Sequence, residues 1–124
     1  MKKSHIKSLE QVLNQIITYD RVNSIYLFGS CVRNEETYRS DVDIACFIDG
    51  DMDTKLLREI RSIIPDEFRL PEVDINIWFN TNQEDLINGN RFEKRIYNDM
   101  KLLWSKKDGF SNFYNDLRRS NNVL

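Results

Sequence analysis

Ile25-Tyr26-Leu27-Phe28-Gly29-Ser30, a spacer of ten residues, then Asp41-Val42-Asp43-Ile44-Ala45-Cys46-Phe47-Ile48 are the segments whose reading decides the fold. Ser24 to Phe28 has the composition of a short buried strand, and Gly29-Ser30 closes it. Cys31-Val32-Arg33 then opens a short helix or turn, and Asn34 to Ser40 is a polar loop. Val42 to Ile48 is a second strand. A third, Glu72 to Phe79, follows Pro71 and carries Asp74 at its start.

Helical patterns fill the intervals. Ile6, Leu9, Val12, Leu13, Ile16 and Ile17 recur at helical spacing behind a capping Ser4, giving an N-terminal helix within residues 1–20. Leu56, Leu57, Ile60, Ile63 and Ile64 mark a second helix, capped by Asp51 or Asp53 and stopped by Pro65. Gln83 to Asn88 and Arg91 to Met100 read as helical. Lys101 to Trp104 is extended or a helix end, and Phe110, Phe113, Tyr114 and Leu117 suggest a last amphipathic helix. Alternation of this kind predicts an α/β (α+β) fold, a small mixed β-sheet flanked by helices. For Gly29-Ser30 at a strand end to meet Asp41 and Asp43 at a strand start, the first two strands run antiparallel. Asp74 at a strand start makes the third parallel to the second.

The chain has 124 residues, the size of one domain, 1–124, with a polar, flexible tail expected over 118–124. Its 18 basic and 20 acidic groups give a net charge of −2, which argues against direct nucleic-acid binding as the main task. No run approaches the ~20 apolar residues of a membrane span, and Met1-Lys2-Lys3-Ser4 lacks the apolar run of a signal peptide. Cys31 and Cys46 form no disulfide or zinc pattern. These features predict a cytoplasmic protein. His5, the only histidine, reads as a surface residue, and Cys46 as a core thiol.

Successive side chains on a strand alternate faces, so Asp41 and Asp43 point the same way with Cα atoms ~6–7 Å apart. Asp74 supplies a third carboxylate from a neighbouring strand. Oxygen-only donors select hard cations, magnesium first and manganese as a substitute, and a pair of ions suits nucleotidyl transfer. Gly29 lets a backbone N–H approach phosphate, Ser30 adds a hydroxyl, and Arg33 lies one turn on, within reach of phosphate or the acidic cluster. Each piece alone has an ordinary reading as a turn, a cap or a surface ion pair. Order, spacing and strand context together point to one site.

This pattern resembles the DNA polymerase β nucleotidyltransferase superfamily over about Ile25 to Trp104. The short length is similar to the minimal nucleotidyltransferases, the MNT proteins paired with HEPN-domain partners. The resemblance implies that Asp41, Asp43 and Asp74 are catalytic and bind magnesium, two ions in all, and that Gly29, Ser30 and Arg33 hold the ATP triphosphate. It further implies transfer of AMP from ATP onto a tyrosine of a HEPN toxin, an antitoxin activity. Val32-Arg33-Asn34 departs from the Ala-Arg-Gly that many minimal members show, and Asn34 is the residue best able to keep that turn. Met100 stands where glycine is common. Three alternatives compete: a small-molecule (aminoglycoside-type) nucleotidyltransferase, a non-catalytic antitoxin that binds its toxin, and an aspartyl phosphohydrolase. The last is disfavoured because Asp41-Val42-Asp43 opens a second strand. A homodimer and a hetero-oligomer both remain open.

Overall fold

The sheet grows outward from the first strand, β1 (Val22–Phe28), whose apolar side chains are buried on both faces. The computed structural model describes residues 1–122. β2 (Val42–Ile48) pairs antiparallel with β1, and β3 (Val73–Phe79) pairs parallel with β2. On the other flank of β1 lie β4 (Lys101–Ser105) and a two-residue β5 (Gly109–Phe110), each antiparallel to its neighbour. The order β3-β2-β1-β4-β5 makes a five-stranded mixed sheet flanked by helices, the expected class. β1 begins at Val22, two residues earlier than expected, and β5 has too few residues to show a period.

Period-two alternation separates two apolar layers. Ile25, Leu27, Val42, Ile44, Cys46, Ile48 and Ile75 face one side. There they meet Leu9, Val12, Leu13 and Ile16 of α1 (Lys3–Ile16), Ile60 of α2 (Thr54–Arg61) and Tyr114 of α4 (Asn112–Asn122). Phe28, Ala45 and Phe47 face the other side and meet Leu86 of a 3₁₀ helix (Gln83–Asn88) and Ile96 of α3 (Arg91–Asp99). Trp78 stacks on Phe47 with centroids 5.5 Å apart, so the second layer reaches β3.

Local chemistry fixes the helix ends. Asp53 caps α2 by accepting the Leu56 N–H at 3.1 Å. Asn90 and Glu93 cap each other's backbone at the start of α3. The second Glu93 oxygen accepts the Trp78 indole N–H at 2.9 Å, which ties α3 to β3.

Three expectations need correction. His5 is fully buried rather than on the surface, because its ring is bonded to main chain from a distant loop. α2 stops at Arg61, four residues before Pro65, and Ile64 beyond it is 71% exposed. The polar segment from Arg118 is helical through Asn122, with Arg118 held by Glu10 of α1 at 3.1 Å, while residues 123–124 of the expected tail lie outside the described residues. Among the described residues, no helix is long and apolar enough to cross a membrane.

Candidate active site

β1 delivers its C-terminal end, and β2 and β3 their N-terminal ends, to one corner of the sheet. Phe28 is the register partner of Asp43, and Asp43 is the register partner of Asp74. Partners on adjacent strands point to the same face, and strands lie ~4.8 Å apart, so Asp43 and Asp74 are neighbours. They project onto the α3 side, with Ala45, Phe47 and Trp78 following on the same face. Asp41 lies just ahead of β2 and is exposed, as is Asp74, whereas Asp43 is half-buried.

The turn after β1 closes against this corner. Gly29 has φ +80°, a left-handed angle that non-glycine residues adopt at a cost. A Cβ placed on it would stand 2.6 Å from Asp43 Oδ2, so a larger residue there would have to push the carboxylate aside. Gly29 to Cys31 then makes one 3₁₀ turn, with the Val32 N–H donating to the Gly29 carbonyl at 3.1 Å. Asn34 has φ +58°, so the Arg33-Asn34 step takes the left-handed bend that the asparagine was expected to allow.

Arg33 reaches back over the site. It pairs with Glu35 at 3.2 Å and with Asp99 at the end of α3. It lines a cleft of about 400 Å³ with Phe28, Phe92, Arg95, Ile96 and Asp99. Phe28 and Phe92 meet edge to face across this cleft, centroids 6.1 Å apart. A larger cleft, about 640 Å³, runs under the loop from Arg61 to Val73. It contains none of the six expected site residues, so volume does not mark the chemistry here.

Electrostatics single out Asp43. Burial, then the Asp74 and Asp41 carboxylates, push its carboxyl up to about 6, and Arg33 opposes them. Three acidic side chains thus share one corner and repel. A divalent cation would relieve that repulsion, and the all-oxygen donor set suits a hard ion such as magnesium. Among the described residues, no three His, Cys, Asp or Glu side chains are yet gathered closely enough to ligate one ion. The donors fit in kind and in charge, and holding a metal requires them to draw inward.

Phe92 and Asp99 do not stand out in the sequence as site residues, whereas Arg95 belongs to a basic run with Arg91 and Lys94 that suits a phosphate or partner contact. The Arg33–Asp99 pair spans 66 positions, and only the packing of α3 against Phe28 makes it. The one local signal was the Ile96–Asp99 spacing, which places Asp99 one turn beyond a core residue. Cys31 lies beneath the turn with its thiol pushed up to about 12 by burial, then by Glu36 and Asp43, which makes it a packing residue rather than a nucleophile.

Residues 10–109 match the family described as polymerase beta, nucleotidyltransferase. No curated protein matches the chain. Among solved structures, a provisionally assigned nucleotidyltransferase from Sulfolobus solfataricus is similar at TM-score 0.58 and 19% identity, covering 90% of this chain and 96% of that one. A toxin-antitoxin structure with AMP-PNP is similar at TM-score 0.51 and 17% identity, covering 98% and 84%. A structure of tri-AMPylated Shewanella oneidensis HEPN toxin with MNT antitoxin gives TM-score 0.43 at 17% identity, covering 90% and 82%. At these identities the first two likenesses concern the fold. The family match spans most of the sequence and both halves of the candidate site, and the chain belongs to the polymerase β nucleotidyltransferase family.

Proposed function

We propose that this protein is a magnesium-dependent nucleotidyltransferase that moves AMP from ATP onto a tyrosine of a HEPN-domain toxin and so acts as its antitoxin. The observation that carries the proposal is the Gly29–Asp43 juxtaposition, with Asp74 beside Asp43 in register. It sets a turn able to hold phosphate against carboxylates able to hold cations. Gly29 and Ser30 offer N–H and hydroxyl donors to the triphosphate, and Arg33 adds charge once it leaves Asp99. Asp41, Asp43 and Asp74 would hold the metal, magnesium or manganese, whose chemistry there would be to neutralise phosphate charge and lower the pKa of the acceptor hydroxyl. The acceptor oxygen bonds to the α-phosphorus, the bond to pyrophosphate breaks, and the hydroxyl proton leaves to a carboxylate or water.

A HEPN partner suits the open cleft beside Arg33, and the neighbour seen with AMP-PNP is itself a toxin-antitoxin structure. A reducing cytoplasm suits the two free thiols. The test asks first whether a HEPN-domain protein is encoded beside this one, then incubates the pair with magnesium and α-labelled ATP. Label on a toxin tyrosine is the expected result, and its absence with both proteins folded overturns the proposal. One rival reading is neutralisation by occlusion alone. Asp43→Asn separates the two, because an occluding antitoxin keeps full neutralisation after that change.

A further inference from the structure

Two polar side chains interrupt the apolar face of α1. His5 and Ser8 are each fully buried, one turn apart, among Ile6, Leu9, Val12 and Leu13. Burying an imidazole and a hydroxyl is unfavourable unless their polar atoms are bonded. Both are bonded, and both to main chain that leads into the acidic corner. His5 Nε2 donates to the Ser40 carbonyl at 2.9 Å, and Ser40 immediately precedes Asp41. The Ser4 hydroxyl lies 3.3 Å from His5 Nδ1, where it donates and leaves the ring proton on Nε2. Ser8 Oγ donates to the Pro71 carbonyl, three residues before Asp74. The two approaches are laced to each other by the Val42 N–H, which donates to the Glu72 carbonyl at 2.9 Å. One further bond, from the Lys2 N–H to Glu36 at 2.9 Å, holds the loop that ends at Ser40.

We propose that His5 and Ser8 are positioning residues for the metal site: they clamp the main chain ahead of Asp41 and Asp74 to one face of α1 and thereby set how closely the carboxylates can approach a divalent cation. Neither touches substrate. Ser40 and Pro71 lie outside the strand ladders, so their carbonyls need donors from elsewhere, and α1 supplies both from adjacent turns. A rigid helix with two such bonds couples two loops 31 positions apart (Ser40 to Pro71) without using the catalytic side chains. The proposal rests on the nucleotidyltransferase reading of Asp41, Asp43 and Asp74.

The test measures Mn²⁺ affinity of the whole chain by loss of the free-ion paramagnetic resonance signal, without ATP or any acceptor. Wild type, Asp43→Asn, His5→Ala, His5→Gln and Ser8→Ala are compared, each checked for folding by circular dichroism. Asp43→Asn is expected to abolish binding. His5→Ala and Ser8→Ala are expected to weaken it about tenfold, the lower end for residues that orient metal ligands. His5→Gln, whose amide N–H reaches the same carbonyl, is expected to recover most of the loss. If Asp43→Asn abolishes binding and folded Ser8→Ala and His5→Ala bind as wild type does, the clamp is overturned and the metal site stands. Loss in His5→Ala that His5→Gln leaves uncorrected also overturns it, since the bond to Ser40 is then not what matters. Undiminished binding in Asp43→Asn overturns the metal site and the clamp together. Should His5→Ala fail to fold, Ser8→Ala and His5→Gln decide.

Discussion

Gly29 and Asp43 are packed so closely that a single added carbon would stand 2.6 Å from the carboxylate oxygen. The turn that is to hold phosphate and the residue that is to hold metal are therefore one mechanical unit. Gly29→Ala is expected to strain the left-handed backbone by about 1–2 kcal/mol and to push Asp43 aside. Thermal melting should fall by roughly 4–10 °C, and calorimetric binding of a non-hydrolysable ATP analogue should be lost. A variant that binds the analogue as wild type does would refute the coupling.

Asp43→Asn should trade activity for stability. Asp43 is pushed up to about 6 from an ordinary 3.8, so the folded state holds its proton more firmly than the unfolded chain does. Below pH ~4 both states are protonated and nothing is lost. As pH rises to ~6 the unfolded chain ionises first, stability falls, and above that the penalty is constant. Two units correspond to roughly 3 kcal/mol, and solvent screening of this half-exposed group reduces that to about 1 kcal/mol. Urea unfolding without divalent ions should show Asp43→Asn more stable than wild type by about that much at pH 7.5, with no advantage at pH 4. Magnesium should stabilise wild type alone.

Arg33 is shared between Glu35 and Asp99 and is 45% exposed, so neither pair should matter much to folding. Arg33→Ala should leave the urea midpoint of unfolding essentially where it is in wild type. It should weaken ATP-analogue binding about tenfold, the loss of one charge-assisted hydrogen bond. Asp99→Asn should act oppositely and tighten binding, because the guanidinium no longer has to abandon a carboxylate. Calorimetry at two salt concentrations checks both, and equal affinities in all three proteins would remove Arg33 from the site.

The thiols should be silent. Burial pushes both Cys31 and Cys46 up to about 12, so almost no thiolate exists near neutral pH. A disulfide reagent at pH 8 should titrate neither thiol in the folded protein and both after denaturation. Rapid native labelling of Cys31 would mean that the turn at Gly29 opens readily.

Much of the architecture was legible because its signals are local. The Gly29-Ser30 stop, the apolar run of β2 and the Pro71 start of β3 each mark an element by composition. Requiring Asp41, Asp43 and Gly29 to meet then oriented the strands, and the observed pairings agree. His5 was misread because burial of a lone histidine depends on a carbonyl 35 positions away. The early end of α2 escaped notice because Ile63 and Ile64 continue the helical period, and the loop departs from it there. Of the candidate site, chain order revealed which carboxylates share a corner. Their separation depends on loops and on α1, which no spacing encodes. The cleft wall of Phe92, Arg95 and Asp99 comes from docking of α3, a tertiary event.

The strand that bears Asp74 is one of the sheet's two edges, with no neighbour on its far side among the described residues. An outer strand as apolar as Val73–Phe79 invites another chain to join it, and a negative charge set within such a strand discourages that. Asp74 thus sets a charge against self-association at this edge. Neutralising it is expected to cost solubility, and a divalent cation bound there would cancel the same charge and favour edge-to-edge pairing.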